Sequence, residues 1–506
     1  MTMMTNPAAA LDALAAKTFR RSYGHFIGGE WVEGAGGKTI PVHNPSTGSV
    51  IAHIQAGNAA DAARAVDAAA AAFPAWSRTG APERQAILQE MARRLKARVD
   101  DYALMETLDN GKTLYESGQF DVPAAAAMLD FYSTTPLHLH GEVHDHPGAI
   151  TYVHREPIGV CAGIIPWNIP LFSMALKVGP ALAAGNTIVL KPAESTCLAV
   201  LEFTREIADL LPPGVLNVLT GYGPDVGEAL VTNPKVAKVA FTGSKATARK
   251  IMQYASAHLI PQTLELGGKS ANVICEDADL DAAVEGAVLS TIFNKGEVCI
   301  AGTRTFVHRK LHDRFVDKFE AIIRRVSQGD PTQPTTQLGP QASQIQMDRV
   351  CAYLDLAPKE GATVLAGGKR ASIAGLEGGY FIQPTILVDV KNTMRIAQEE
   401  IFGPVNCVIP FDSDEDAVRM ANESPYGLGG GLWTRDLGRA HRMAREIRTG
   451  TIWVNRYFNF VPGLPLGGYK ESGFGREGCL ETLKHYTITK GVVINLQEGP
   501  LGIFGG

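Results

Sequence analysis

Between residues 55 and 130 apolar positions recur at intervals of three and four. DAARAVDAAAAAF and then ERQAILQEMARRLKARVDDYALMETLDNG read as amphipathic helices, the second stopping at Asn110-Gly111. The start, MTMMTNPAAALDALAAKTFRR, reads as a short helix with polar flanks. From about residue 157 the pattern changes. PIGVCAGIIPW is an apolar run bounded by turn residues, followed by the helical stretch PLFSMALKVGPALAAG. Strands NTIVLKPA, GVLNVLTG and VAKVAFTGS then alternate with helices TCLAVLEFTREIADLL, VGEALVTN and KATARKIMQYASAHL. Short apolar strands separated by helices imply a parallel sheet covered on both faces. After LELGG at 264–268 a second alternating series runs from SANVICED through TRTFVHRK and ATVLAGG to TIWVN. The fold class is therefore α/β, with two such domains joined near 262–270. Two further alternating segments, AITYVHREPIGV at 149–160 and YTITKGVVINL at 486–496, predict a projecting sheet that pairs with another subunit.

Composition narrows the classes. The 506 residues are 45% hydrophobic and 20% charged, enough for large buried cores and unlike a disordered chain. With 47 basic and 52 acidic residues, the net charge of −5 and the lack of a basic block argue against a nucleic-acid partner held through phosphates. No apolar run reaches the ~18–20 residues of a membrane span, so no membrane is expected. Seven scattered cysteines without a CxxC pair indicate neither a disulfide framework nor a zinc site. The expected setting is reducing and cytoplasmic.

Several residues are candidates for chemistry, each with an ordinary alternative. Cys299, in FNKGEVCIAGTR, lies between Gly296 and Gly302 beside polar neighbours; it is either an accessible nucleophile or a small buried apolar residue. Glu265 interrupts an apolar strand just before Gly-Gly; it is either a general base with a raised pKa or an edge residue facing water. GYGPDVG at 221–227 and FTGSKA at 241–246 close strands and open helices, a geometry suited to an anion, although the glycine spacing misses the common dinucleotide pattern by one residue. His138, His140, His144 and His146 lie in HLHGEVHDH, where an exposed hairpin is favoured over a metal site; no metal is expected.

Taken together and in order, IIPWNIP (164–170), KPAE (191–194), FTGS (241–244), LELGGKS (264–270), NKGEVCIAGTR (294–304), EEIFGPV (399–405) and GYKESGFGRE (468–477) resemble the NAD(P)-dependent aldehyde dehydrogenase superfamily, from about residue 25 to 496. The resemblance implies two Rossmann-like domains and a small β oligomerisation arm. With the pattern above, this divides the chain into a cofactor-binding domain (1–130 and 153–263), a catalytic domain (264–474) and an arm with the C-terminal strand (131–152 and 475–506). It implies Cys299 as nucleophile and Glu265 as general base. Asn168 joins the Cys299 amide in an oxyanion hole, and Lys177 and Glu477 relay protons. The implied cofactor is NAD: Lys191 and Glu194 hold the adenosine ribose. Ile164, Ile165, Pro166, Trp167, Gly223, Gly227, Phe241 and Ser244 line the adenine and pyrophosphate region. Leu266, Gly267, Gln346, Glu400 and Phe402 complete the site toward the nicotinamide. The expected partners are a small-molecule aldehyde and further copies of the chain, as a homodimer or homotetramer.

By the same resemblance the aldehyde tunnel draws on Ile169, Phe172, Leu176, Phe293, Val298, Ile300, Phe458, Phe460 and Leu466. That set is apolar and partly aromatic, and predicts a medium-sized apolar or aromatic aldehyde. Arg456, beside Asn455, is the one residue positioned to favour an anionic semialdehyde instead. The family usually carries Gln where this chain has Lys295 and Glu297, and often Gly where it has Ala248. The alternatives are an anionic semialdehyde dehydrogenase, a CoA-acylating enzyme, which has no need of Glu265, a thiol hydrolase, which leaves KPAE and EEIFGPV unexplained, and a non-catalytic protein of the same fold.

Overall fold

In a computed structural model, described for residues 6–499 and 503, the first sheet has eight strands. Their order is Gly473–Phe474, Gln262–Glu265, Val236–Thr242, Val160–Ile164, Thr187–Lys191, Leu216–Val218, His25–Ile27 and Glu30–Val32. The five central strands are parallel, and the strands at either end run antiparallel. Alternate residues of these strands enter different cores. Cys161, Ile188 and Leu190 pack with helices Ala81–Ala97, Val122–Thr134, Pro170–Ala183 and Leu198–Ile207. Ala162, Val189 and Val239 pack with helices Ala59–Trp76 and Lys245–Ser256 on the other face. From strand Val160–Ile164 the chain first builds toward Thr187–Lys191, then returns to add Val236–Thr242 on the opposite side. That reversal opens a crevice at the carboxyl ends of the two strands, where open α/β sheets bind ligands.

The chain crosses to the second sheet through residues 266–270. This sheet has seven strands, in the order Thr363–Ala366, Thr385–Val388, Val405–Phe411, Arg304–His308, Ala271–Ile274, Gly429–Trp433 and Thr451–Val454, parallel except for the first pair. A third, antiparallel sheet is formed by Thr487–Asn495, Ala149–Pro157 and Glu142–His146. The hairpin of its last two strands carries His144 and His146.

The structure departs from the periodicity in places. The helix read as continuous from Glu83 to Asn110 is broken at Arg98 (φ −129°, ψ 34°) into Ala81–Ala97 and Val99–Asn110. The break brings Tyr102 edge-on to Phe203, with ring centroids 5.6 Å apart. Gly111 then ends the second piece in the left-handed conformation (φ 87°), as the Asn-Gly pair predicts. The expected boundary at 152/153 falls inside strand Ala149–Pro157, helix Val122–Thr134 crosses the one at 130/131, and Gly473–Phe474 pairs with the first sheet rather than the second. No helix among the described residues is long and apolar enough to cross a membrane.

Candidate active site

Strand Gln262–Glu265 ends on the candidate base, and Gly267 and Gly268 follow. A Cβ on Gly267 would strike the Glu400 carboxylate, and one on Gly268 would strike the Cys299 carbonyl. The Gly-Gly pair is what lets the two sheets meet here. Gly268 N donates to Glu400 Oε1 at 3.1 Å, closing the turn onto the EEIFGPV segment.

Cys299 lies between helix Leu280–Ile292 and strand Arg304–His308. Its loop passes through three left-handed residues, Asn294 (φ 46°), Lys295 (φ 63°) and Gly296 (φ 72°). At Gly296 a side chain would collide with the backbone of Gly403 and Pro404. Cys299 is half-buried. Burial, then Glu400 and Glu265, push its thiol up to about 12. The resting group is therefore a thiol, and it needs a base or a nearby positive charge to react.

Glu265 is buried, and its Oε1 has no hydrogen-bond partner among the described residues. Burial first and Glu477 second hold its carboxyl well above the usual range, while Lys177 and Arg476 oppose them. Lys177, buried within helix Pro170–Ala183, contacts Glu477 Oε1 and donates to Thr242 Oγ1 at 2.7 Å. Thr242 is the register partner of Glu265 on the adjacent strand.

One cavity of about 130 Å³ is lined by Cys299, Glu265, Asn168, Ile169, Leu266, Gly267, Gln346, Glu400 and Phe402. Gln346 Nε2 donates to the carbonyl of Phe402 at 2.6 Å, and the Phe402 ring meets Trp167 at 5.2 Å and 89°. Trp167, Pro166 and Ser244 also line a second cavity, of about 460 Å³, with Ile164, Ile165, Lys191, Glu194, Gly223, Gly227 and Phe241. This cavity occupies the crevice where the strand order reverses. A Cβ on Gly223 would meet nothing within 4 Å and one on Gly227 only Lys191 Cδ, so the wall is bare backbone. Lys191 Nζ lies 3.5 Å from Glu194 Oε2. Bare backbone at Gly223–Gly227, the Ser244-capped start of helix Lys245–Ser256 and an adjacent carboxylate fit a dinucleotide's pyrophosphate and ribose.

A third cavity, of about 720 Å³, opens beyond Phe293, Phe458 and Phe460. Phe293 lies 5.2 Å from Phe458, and Phe460 is stacked on Phe458 at 6.4 Å and 6.0 Å from Phe172. Leu176, Leu466, Val298 and Ile300, also expected in the tunnel, pack in the same cores as Phe172, Phe293 and Phe458. Leu176 packs in the core of the first sheet, with Leu466 against its edge. Val298 and Ile300 belong to a core of the second sheet, where Ile300 packs on Gly429. Ala248 is buried in the core beneath its helix.

Sequence reasoning missed one wall of this cavity and the scaffold behind it. Gln119 and Phe120 reach the cavity from the π-helical turn Ser117–Asp121, and Phe120 meets Phe293 at 5.3 Å. Buried Lys112 donates to Asn168 O at 3.0 Å and to Glu106 Oε2 at 2.9 Å, and contacts Asp121. Glu106 Oε1 in turn accepts from Leu171 N at 2.9 Å. The charges of ETLDNGK carried the signal, but a period of 3.6 does not distinguish a buried charge from an exposed one. Among the described residues, no group of three or more His, Cys, Asp or Glu is placed to hold a metal ion.

Residues 31–492 match the model of the aldehyde dehydrogenase family. The chain is 43% identical over 505 residues to an aldehyde dehydrogenase of Rhodospirillum rubrum, covering 98% of this chain and 99% of that protein. It is also 43% identical over 500 residues to an acetaldehyde dehydrogenase of Pseudomonas aeruginosa, with 97% and 98% covered. The structure superposes, with a TM-score of 0.93, on the NAD+ complex of an aldehyde dehydrogenase from Bacillus cereus, 40% identical, over 95% of this chain and 98% of that one. Motif order, fold and the convergence of Cys299 with Glu265 agree with these likenesses: the chain belongs to the aldehyde dehydrogenase family.

Proposed function

We propose that this chain oxidises medium-sized apolar or aromatic aldehydes to carboxylic acids with NAD, using Cys299 as nucleophile and Glu265 as base. The observation that carries this reading is the shared cavity: thiol, carboxyl and the Asn168 amide face one space that adjoins the dinucleotide crevice. When bound, NAD supplies the hydride acceptor. Cys299 gives up its proton to the ionised Glu265 carboxylate, which then passes it on, and the sulfur adds to the aldehyde carbon. Asn168 Nδ2 and the Cys299 amide stabilise the oxyanion that forms. Collapse of that adduct, with loss of hydride, leaves a thioester on Cys299. Glu265 takes a proton from water as the water's oxygen attacks the thioester carbon, the carbon–sulfur bond breaks, and the acid leaves. A carboxyl raised by burial is a stronger base than an exposed one, which suits this step. Lys177 and Glu477 pass the proton onward. Lys191 and Glu194 hold the adenosine ribose; Gln346, Glu400 and Phe402 shape the nicotinamide end.

Phe120, Phe293, Phe458 and Phe460 supply an aromatic entrance, which favours substrates of matching surface. Arg456 lines the same entrance, but it is exposed and Glu285 shares the wall, so its charge is neither desolvated nor alone. The exposed apolar residues Val143, Ile150, Tyr152, Ile488, Val493 and Ile494 of the third sheet support assembly into a homodimer or homotetramer. All seven cysteines are free, in keeping with a reducing cytoplasmic setting. A panel of aldehydes, followed by absorbance of reduced cofactor with and without CoA, tests the reading. CoA-independent acid formation supports it, strict dependence on CoA replaces water as acyl acceptor, and no cofactor reduction removes the dehydrogenase assignment.

A further inference from the structure

The nucleophile loop carries two charged residues that have no contact with solvent. Lys295 and Glu297 are both 0% exposed, and Lys295 Nζ lies 2.9 Å from Glu297 Oε2. The same ammonium donates to Asn110 O at 2.9 Å and contacts Asn110 Oδ1. Glu297 Oε1 accepts from the amide of Ala342 at 3.0 Å. Taking two charges out of water often costs more than their attraction returns, and apolar residues of similar size commonly replace a buried pair without loss. Stability alone is therefore a poor account of why a pair stands here.

Its connections are specific. Asn110 Nδ2 donates to Trp167 O at 2.9 Å, so the Lys295 end is tied to the strand-end segment that carries Asn168. Asn168 Nδ2 donates to the backbone carbonyl of Glu297 at 2.8 Å, so the segment whose side chain the pair anchors also holds the oxyanion residue. Ala342 leads into helix Gln344–Leu356, which bears Gln346. The loop needs such ties, because its left-handed run at Asn294 and Lys295 is unfavourable for side-chain-bearing residues and persists only when its surroundings enforce it. The side-chain charges that chiefly raise the Cys299 thiol are Glu400 and Glu265, and the pair's own contacts run to Asn110 and Ala342.

We propose that Lys295 and Glu297 are positioning residues: their buried ion pair fixes Cys299 against Asn168 and so sets the rate at which the aldehyde is acylated onto the enzyme. This rests on the assignment of Cys299 and Asn168 above and adds to it what holds them in register. Displacing reacting groups by ~1 Å costs roughly a hundredfold in rate, so a modest shift of this loop is readable.

The test compares Lys295→Gln, Glu297→Gln and the double variant, as full-length protein with saturating NAD and hexanal. The NADH burst rate is recorded beside the Kd for NAD and the Tm. Each single variant leaves a buried charge without its partner, and its burst rate should fall by roughly tenfold to a hundredfold. Its NAD affinity should stay within about threefold of the parent. The double variant, a neutral hydrogen-bonding pair, should recover the burst to within about threefold of the parent. Parental burst rates in both single variants overturn the proposal, as does a double variant no faster than the slower single one. Should a single variant fail to fold, the double variant decides alone: a near-parental burst supports the pair and a lost burst overturns it. Cys299→Ala separates the two levels, because a burst that survived it would remove the nucleophile assignment itself.

Discussion

Glu265 and Cys299 come from different sheets and face the same cavity of about 130 Å³. Glu265 closes the last parallel strand of the first sheet, and Cys299 precedes a central strand of the second. Burial raises the pKa of both groups; Glu265 adds to the rise at Cys299, and Glu477 to the rise at Glu265. Glu265 Oε1 faces no protein donor among the described residues. In the proposed reaction Glu265 acts in its ionised form, taking the thiol proton first and, once that proton has been passed on, a proton from water.

A pH dependence follows from the sign of that shift. The Glu265 carboxyl is held above the ordinary range, so below its raised pKa it is protonated and too weak a base to take water's proton. Thioester hydrolysis should therefore rise with pH through a limb above the ordinary carboxylate range, up to the pKa of Glu265. Steady-state rates under hydrolysis-limited conditions measure it. Glu265→Gln should lack this limb, and a variant that retained it would point to another base.

In the proposed reading cofactor choice turns on Glu194, which lines the cavity of about 460 Å³ with its Oε2 3.5 Å from Lys191 Nζ. A 2′-phosphate beside that carboxylate meets like charge, at a cost of about 1–3 kcal/mol, or roughly tenfold to a hundredfold in kcat/KM against NADP. Glu194→Gln should narrow the gap between NAD and NADP. Equal efficiency with both cofactors in the parent protein would contradict the role given to Glu194.

Much of this was legible before any coordinates, and the exceptions have physical causes. The strands of the first sheet stand out because Val, Ile and Leu dominate them and helices separate them. Gly429–Trp433 is not among the strands the sequence pattern reveals, because GGGLW lacks a β-branched apolar run, yet it is a buried central strand. Its glycines are needed because Gly429 packs on Ile300, and Gly431 on Asn272 and Tyr457. Cys299, Glu265 and Asn168 were legible as motifs. The Lys112–Glu106–Asp121 cluster behind Asn168 was not, because its members are charged residues that burial in three dimensions, rather than spacing, turns into a scaffold. Lys295 and Glu297 were visible as unusual, but their pairing was not.

The aromatic entrance makes a specificity prediction. Phe460 stacks on Phe458 and is partly exposed at the mouth, so truncating it removes contact area without opening a core. Phe460→Ala should lower kcat/KM for benzaldehyde by roughly twofold to tenfold, in line with the ~0.5–1.5 kcal/mol of an aromatic contact. It should leave acetaldehyde little changed. Arg456→Ala should leave benzaldehyde unaffected. A large advantage for succinic semialdehyde in the parent, abolished by Arg456→Ala, would make Arg456 the specificity residue.

The third sheet predicts the assembly. Val143, Val493 and Ile494 are exposed on antiparallel strands, an apolar surface that a second copy would cover in the proposed assembly. Light scattering of the parent should report two or four copies. Val493→Lys with Val143→Lys should shift the mass downward, and a monomeric parent would contradict the role of this sheet.

The division of labour between Cys299 and Glu265 is tested most directly by one measurement: the first turnover of Glu265→Gln, mixed with NAD and hexanal under conditions where the Cys299 thiol is deprotonated. The account predicts a burst of NADH close to one per site, followed by steady turnover slowed by roughly a hundredfold or more, the scale of a lost general base. It also predicts a thioester on Cys299, detectable by mass after acid quench. Cys299→Ala should give neither burst nor adduct. Unslowed steady turnover in Glu265→Gln, or a burst without any adduct on Cys299, would contradict it.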